Sequence, residues 1–587
     1  MKQSNSRSQS TLYQINQFVS KYALVISLLF ALLIFAFVLL FLQITYQTND
    51  DAGMMLTIRG ISIVDKPSAN VIFMNIIYAS FIKALYDWID GIDWYPLIFL
   101  IILFTSYSYL SHLIFKYASS IYLKVAYIAF FTPLFVVFIV SLQFTIVAGT
   151  AGVAGVVGLL LSSKKNTAEK VIACILLIIS SLIRIDSFRL AVLMFLPAYV
   201  YKVYVYWYGE SVKKAALFSF THLKKNDWII YLATVIFLSF ILQFYSANAY
   251  GDYYQFNKKR NIIYDFSALE KIDPQLKEQI LRSVGWSSND YNMFRSWFFF
   301  NEKLYNIEKF DQMAKYVPRK KVYEVIDFML SDEVIQFLRQ MAKEPLILCF
   351  FFLYIGILLH SFSLKNFIAL LGSFAYLIIV YLMVSLFLRQ PPFRTFIIMY
   401  LATCMFPFVV IGQNNALRNT ANMISSITSA IGIFIIVYAS LLSYKLAKGF
   451  YQQKILNGKS LQASIDDLLQ KYPNMKLLVS WGAAFPYEAI KPFEDISYMK
   501  KIKILGLGTG QQSKEVKELL KSIGIFDLYL AIAERKDVYL LVLFGWELQL
   551  YKNYMWEHYQ KTVEMKFLPN PLEKIKNSKL VKVSLVQ

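Results

Sequence analysis

The sequence has few of the residues that build disulfides and soft-metal sites. Only three cysteines occur among 587 residues, and each lies in an apolar stretch: Cys174, Cys349 and Cys404. Neither a disulfide framework nor a thiolate metal site is indicated. The four histidines are far apart in the chain and show no ligand spacing, so a histidine-based zinc site is not expected. They are His112, His222, His360 and His558.

Charge is also scarce, at 17% of the residues, and acidic residues are fewer than basic ones. The resulting net charge of +21 is compatible with nucleic-acid binding. However, the lysines are scattered over short loops between apolar runs. This pattern is typical of cytoplasmic loops and of contact with anionic lipid headgroups. No nucleic-acid partner is expected, whereas the lipid bilayer is.

Long apolar runs are abundant, and 57% of the residues are hydrophobic. A run of about 20 residues crosses a bilayer as a helix. The first run begins at Ala23 and continues into polar sequence without a small-residue cleavage site, which predicts a retained span. The fold class predicted is mostly α, a polytopic membrane helical bundle of about eleven spans. They start near residues 23, 94, 125, 144, 170, 190, 228, 346, 367, 395 and 424.

The chain divides into three predicted regions. Residues 1–22 are polar and are expected to form a disordered cytoplasmic N-terminus, and residues 23–446 form the membrane domain. The fourth span, FTIVAGTAGVAGVVGLLL, is rich in small residues, which favours close helix packing. A large loop at 247–345 is predicted to be mostly helical. Residues 447–587 alternate strand and helix patterns and predict a small soluble α/β domain.

The distribution of lysine and arginine predicts the topology. Basic residues are more numerous in the loops that face the cytoplasm if the N-terminus is cytoplasmic. An odd number of spans then places the C-terminal domain outside. On this topology the first loop (44–93), the large loop and the C-terminal domain share the outer face.

The leading candidate for chemistry is Asn49-Asp50-Asp51, which follows the first span. One carboxylate could act as a general base on an acceptor hydroxyl. Alternatively, Asp50 and Asp51 could hold a divalent cation such as Mg²⁺ or Mn²⁺ through their oxygens. Acids in an ordinary solvated loop after a span would produce the same pattern.

Two arginine-containing turns are candidates for binding a phosphate. Arg184, Asp186 and Arg189 interrupt an apolar stretch, and Arg389 and Arg394 flank a Pro-Pro pair between two spans. Guanidinium groups at the membrane interface suit a bidentate phosphate contact. A surface turn in which the first arginine pairs with the aspartate explains the first motif as well. Snorkelling to lipid phosphates explains the second.

The large loop contains Arg260 and Asp265 among tyrosines and phenylalanines, a mixture that suits sugar binding or a helix lying on the membrane surface. The tail contains IKILGLGTGQ, which superficially suggests a nucleotide-binding loop. The G-x-G-x-x-G pattern fails because Gln511 stands at its last position, so a turn after a strand is predicted.

Three segments carry a resemblance to a known family: TNDDAGMM, KPSANVIFMNIIYASFIKALYD and DWYP, within residues 48–96. They resemble bacterial membrane glycosyltransferases of the GT-C type. The resemblance implies a multi-span inner-membrane enzyme that takes a sugar from a polyprenyl phosphate donor. It also implies a catalytic acid in the first outer loop, here Asp50 or Asp51. The tail lacks a WWDYG signature, which argues against protein N-glycosylation.

The predicted function is therefore an inverting transfer of a sugar from polyprenyl phosphate to a glycan, lipid or protein acceptor. Arg184, Arg189, Arg389 and Arg394 would bind the donor phosphate, and Asn49, Asp186, Arg260 and Asp265 would contact substrate. A transporter or flippase of lipid-linked glycans is the alternative from another class, although the internal repeats expected of a transporter are not evident. A glycan polymerase or ligase would differ mainly in its acceptor.

Overall fold

The structure, a computed structural model, describes residues 2–62, 64, 66–163, 165–209, 227–265, 269, 272–316, 364–387, 392–411 and 461–586. The spans predicted near 346 and 424, and Arg389, lie outside these residues. The chain forms two compact units. The helical unit comprises Met1–Ile44, Leu97–Gln243 and Lys321–Phe450, and the mixed unit comprises Thr45–Pro96, Phe244–Lys320 and Tyr451–Gln587.

The elements follow one another in chain order. The helices up to the large loop are α1 (Lys2–Lys21), α2 (Ala23–Phe41), α3 (Asn49–Arg59), α4 (Ile76–Trp88), α5 (Trp94–Tyr117), α6 (Ile121–Val140), α7 (Phe144–Leu161), α8 (Thr167–Ile183), α9 (Ile185–Met194), α10 (Leu196–Gly209) and α11 (Asp227–Tyr250). The later helices are α12 (Asp252–Asp265), α13 (Pro274–Ser283), α14 (Ser288–Arg295), α15 (Ile307–Ala314), α16 (Leu364–Phe387), α17 (Phe393–Ile411), α18 (461–471), α19 (Lys514–Ser522), α20 (Leu528–Glu534) and α21 (Gly545–Tyr559). The strands are β1 (Thr45–Tyr46), β2 (Ser141–Leu142), β3 (Leu477–Ser480), β4 (Lys503–Gly506), β5 (Val538–Val542), β6 (Val563–Leu568) and β7 (Lys579–Leu585).

Within the described residues, six helical segments are long and apolar enough to cross a membrane: Ala23–Phe41, Trp94–Tyr117, Leu123–Val140, Phe144–Leu161, Asp227–Tyr250 and Phe367–Val384. Arg394–Val410 is a shorter apolar helix. These segments indicate a multi-pass membrane protein. Where spans were predicted near 170 and 190, the structure has α8, α9 and α10, of 17, 10 and 14 residues. The total of eleven spans stays a prediction.

Close packing of the small-residue helix α7 is confirmed. All 18 of its residues are buried, and it packs against α8, α9 and α17. A Cβ added at Gly155 would lie 2.6 Å from Leu177 Cγ and 2.7 Å from the backbone oxygen of Ala173. A Cβ at Gly152 would lie 2.8 Å from Ser180 Oγ. Glycine is therefore required where α7 crosses α8.

The N-terminal residues, which we expected to be disordered, form helix α1 instead. Its C-terminal half makes polar contacts within the helical unit. Lys124 Nζ donates to Ser20 Oγ at 2.6 Å and to the Asn16 backbone oxygen at 3.2 Å. Asn16 Nδ2 donates to the Ser119 backbone oxygen at 3.2 Å. These partners are more than 100 residues away in the chain, so local composition could not indicate them.

The mixed unit combines helices from the large loop with a five-stranded sheet. In the described part of the loop, helices α12 to α15 are present, as predicted, whereas residues 317–345 lie outside the described residues. The sheet order is β4-β3-β5-β7-β6, with β4, β3 and β5 parallel and the last two strands antiparallel. Val479 on β3 pairs with Leu505 of β4 on one side and with Leu540 of β5 on the other. All three are fully buried.

The glycine-rich segment after β4 forms the predicted turn and leads into α19. Gln511, the residue that breaks the nucleotide-binding pattern, is fully buried. Its Nε2 donates to the Trp297 backbone oxygen at 2.7 Å, and its Oε1 accepts from the Phe299 backbone N–H at 3.2 Å. The side chain thus joins the tail to the large loop within the mixed unit.

We expect Gly155→Ala to lower the free energy of unfolding by about 1–3 kcal/mol, because its methyl group would overlap a backbone oxygen that cannot move freely. The matched control is Gly372→Ala in α16, where an added Cβ meets nothing within 4 Å. Thermal unfolding of the detergent-solubilised protein measures both. Equal melting temperatures for the two variants would contradict the close crossing.

Candidate active site

The sequence suggested that the acid pair lies in a loop. In the structure the pair lies in the first turn of a short helix, α3. Thr48 is the extended N-cap of α3, Asn49 is its first residue, and Asp50 and Asp51 lie in its first turn. Carboxylates are stabilised there by the exposed N–H groups of the helix and by its dipole. Gly60, with φ of 75°, ends the helix in a left-handed conformation.

The two carboxylates have different environments. Asp51 is fully buried, and its Oδ2 accepts a hydrogen bond from Thr48 Oγ1 at 2.7 Å. The Tyr95 hydroxyl donates to its other oxygen at 3.4 Å. Asp50, by contrast, is half-buried. The structure therefore separates the pair into a buried, hydrogen-bonded carboxylate and a more accessible one.

Tyrosines surround the buried carboxylate. The rings of Tyr46 and Tyr95 meet edge to face, with centroids 6.1 Å apart, and both side chains are fully buried. Burial, and next the negative charge of Asp93, raise the pKa of Tyr46 well above its usual value. Its phenol therefore stays protonated, so that this wall of the site supplies hydroxyl groups instead of phenolates.

Asp93 is a second buried carboxylate beside this site, and sequence reasoning missed it. The Tyr86 hydroxyl donates to its Oδ1 at 2.6 Å, and the Phe493 backbone N–H donates to its Oδ2 at 3.0 Å. Burial raises the pKa of Asp93 above its usual range. The Arg59 guanidinium lies 5.8 Å from the centre of the Tyr86 ring. The DWYP segment contains this aspartate directly before an apolar run, and that position was the available signal.

Other contacts hold the first loop against the rest of the mixed unit. The Glu515 carboxylate accepts hydrogen bonds from Ser68 Oγ at 3.0 Å and from the Asn70 amide. The Tyr250 hydroxyl lies 2.9 Å from the Val71 backbone oxygen and 3.1 Å from that of Met74. The loop after α3 is therefore anchored both by the tail and by the start of the large loop.

The first arginine motif lies in the helical unit, at the junction of α8 and α9. Arg184 is half-buried, and its guanidinium lies 5.0 Å from the centre of the Phe144 ring. Asp186 pairs with Arg189 at 3.5 Å, and not with Arg184 as the surface-turn interpretation supposed. Spacing explains the difference, because residues three apart share one face of a helix. The side chains of Asp186 and Arg189 are 69% and 68% exposed, so they form a surface pair.

The other predicted site residues that the structure describes lie on two further helices, α12 and α17. Arg394 is half-buried in the first turn of α17, and Asp265 is the last residue of α12. Arg260 is only 2% exposed, and its guanidinium lies 4.8 Å from the centre of the Trp297 ring and 5.4 Å from that of Phe299. This location gives Arg260 a packing role between aromatic rings. Its contact with substrate stays a prediction.

No family model and no curated protein matches the chain. Two crystal structures of ArnT from Cupriavidus metallidurans are similar to it, one bound to undecaprenyl phosphate and one in the apo state. Each alignment covers 95% of this chain and 97% of ArnT, with 9% sequence identity and TM-scores of 0.37 and 0.39 respectively.

We expect Tyr86→Phe to destabilise the mixed unit by about 1–3 kcal/mol, because the buried Asp93 would lose a hydrogen-bond donor. The control is Tyr316→Phe, which removes the same hydroxyl from a side chain that is 51% exposed. Thermal unfolding followed by intrinsic fluorescence compares the two variants. If Tyr86→Phe melts with the wild-type protein, the Asp93 contact does not contribute to stability.

Proposed function

We propose that this chain is a membrane glycosyltransferase that moves a sugar from a polyprenyl phosphate donor to a hydroxyl acceptor. The observation that carries the proposal is the acid pair at the start of α3, eight residues after the first candidate span ends. One carboxylate is buried and hydrogen-bonded, and its neighbour is accessible. A lipid-linked donor keeps its sugar–phosphate bond near the membrane surface, and a base placed just beyond a span can reach it.

In this proposal Asp50 is the general base and Asp51 is a positioning residue. The acceptor oxygen attacks the anomeric carbon while its proton passes to the Asp50 carboxylate. The bond from the anomeric carbon to the phosphate oxygen breaks, and polyprenyl phosphate leaves with the electron pair. Attack opposite the leaving group inverts the configuration. Asp51, held by Thr48 and Tyr95, fixes the first turn of the helix that carries the base.

The donor phosphate requires positive charge as its negative charge grows. The sequence patterns nominate Arg184, Arg189, Arg389 and Arg394 for this role, and that assignment stays a prediction. Arg394 is favoured by its place in the first turn of a helix, where backbone N–H groups also attract anions. A divalent cation held by the acid pair would supply the same stabilisation. With only two carboxylates, that ion would have to complete its coordination with phosphate oxygens and water, as Mg²⁺ commonly does.

We further propose that the mixed unit faces the outside of the bacterial inner membrane, with a cytoplasmic N-terminus. The first loop, the large loop as far as Lys320 and the tail belong to this one unit, so they share one side in this proposal. A reporter that is active only outside the cytoplasm, fused after Gln587, is therefore expected to be active. An inactive reporter, together with an active cytoplasmic one, would reverse the orientation.

The catalytic assignment predicts a clear difference between two adjacent substitutions of the same kind. Asp50→Asn should reduce transfer by about 10²–10⁴-fold with unfolding unchanged, because only the base is lost. Asp51→Asn should instead lower stability by about 1–3 kcal/mol, because Tyr95 would face an amide that cannot fully replace the carboxylate. Its transfer rate should fall less than that of Asp50→Asn.

The measurement is transfer of radiolabelled sugar from polyprenyl phosphate by the purified protein in liposomes. A transferase consumes the donor, whereas a flippase only moves it between leaflets. If the Asp51 variant loses transfer and the Asp50 variant keeps it, the two roles are reversed. Leaflet exchange with no donor consumption would favour the transporter alternative. A polymerase or ligase would be recognised by its acceptor.

A further inference from the structure

A second group of chemically active side chains lies in the mixed unit, apart from the acid pair of α3. It consists of Asp290 on α14 and the consecutive residues Glu557 and His558 near the end of α21. One potential ligand atom from each residue lies within 4.8 Å of the others. The two helices are more than 250 residues apart in the chain, and this separation explains why the sequence gave no sign of a histidine metal site.

The positions of these side chains are well defined by their contacts. Asp290 is 1% exposed, and its Oδ1 lies 2.7 Å from His558 Nε2. Its Oδ2 accepts from the Ser287 backbone N–H at 2.8 Å, which closes the capping box of α14. Ser287 Oγ also donates to Glu557 Oε2 at 2.9 Å. A single residue thus orients both carboxylates, as outer-shell partners do in metal sites.

Asn289 supplies a further observation. This side chain is 8% exposed, and its Nδ2 lies 3.4 Å from Glu557 Oε2, so the amide is against the cluster. Its Oδ1 is buried and has no hydrogen-bond partner in the part of the chain that the structure describes. The amide nitrogen also donates to the Leu550 backbone oxygen at 3.2 Å, so Asn289 fixes the position of Glu557 beside the cluster.

We propose that Asp290, Glu557 and His558 bind a divalent transition-metal ion of the zinc type, with water completing its coordination. One imidazole and two carboxylates are hard-to-borderline ligands that suit Zn²⁺. The ion would fasten helix α14 of the large loop to helix α21 of the tail. Its role is structural and does not depend on glycosyl transfer.

One comparison within the chain bears on this assignment. His112 also meets a carboxylate, Glu169, at 2.9 Å, but there Lys116 and Tyr117 occupy the carboxylate oxygens. At His558 a second carboxylate approaches instead.

The test uses the full chain in detergent, stripped with a chelator and then titrated with zinc chloride by calorimetry. The wild-type protein should bind one equivalent and melt at a higher temperature with zinc. Loss of even an outer-shell partner weakens metal binding about 10–100-fold. Glu557→Gln and His558→Gln should therefore bind zinc at least about tenfold more weakly. His112→Gln, the matched histidine–carboxylate pair, should bind as the wild type does.

Melting curves without zinc would show that each variant is folded. Glu557 is an exposed side chain, so Glu557→Gln should fold even if the cluster has a packing role. Equal zinc affinity in the wild-type protein and Glu557→Gln would overturn the proposal. So would an absence of stoichiometric binding to the wild type, which would leave a simple ion pair between His558 and Asp290.

Discussion

A buried carboxylate loses its hydration, and its neighbours must replace the hydrogen bonds that water would have made. The candidate site is organised by this requirement at two positions, Asp51 and Asp93. Each receives a tyrosine hydroxyl and a second hydrogen bond, and in each case one donor comes from a distant segment: Tyr95 for Asp51 and the Phe493 backbone for Asp93. The hydrogen bonds to these two carboxylates therefore hold the start of α3, the start of α5 and the tail close together.

The need of polar side chains for hydrogen-bond partners also explains why the tail is part of the mixed unit and not a separate domain. Its contacts with the loops are polar and specific: Glu515 accepts from Ser68 and Asn70, and Gln511 bridges to the backbone of the large loop. Aromatic packing reinforces them, since Phe298 of the loop stacks on Tyr529 of the tail with centroids 4.5 Å apart. Removing the tail would expose these groups, so the tail supports the loops that form the candidate site.

Sequence patterns predicted the features that depend on local periodicity or on one strong constraint. The apolar runs gave the candidate spans, the small residues of α7 gave a close helix crossing, and Gln511 identified a turn. These patterns did not predict contacts between segments that are distant in the chain. The anchoring of α1 by Lys124 and the contacts of Glu515 with Ser68 and Asn70 each join residues more than 100 positions apart. The acid pair was predicted as a unit, and only packing distinguishes its two members.

The acids of the mixed unit show that environment, more than residue type, decides what a carboxylate can do. Asp51 and Asp93 are enclosed and hydrogen-bonded by phenols, so they hold structure in place. Asp50 is one residue from the first of them but only half-buried, so it keeps part of its contact with solvent. Asp290 is as buried as Asp51, yet it faces an imidazole and a second carboxylate, a set of ligands that suits a metal ion. A sequence motif of acidic residues does not distinguish these roles. The groups that surround each carboxylate in place of water determine its role.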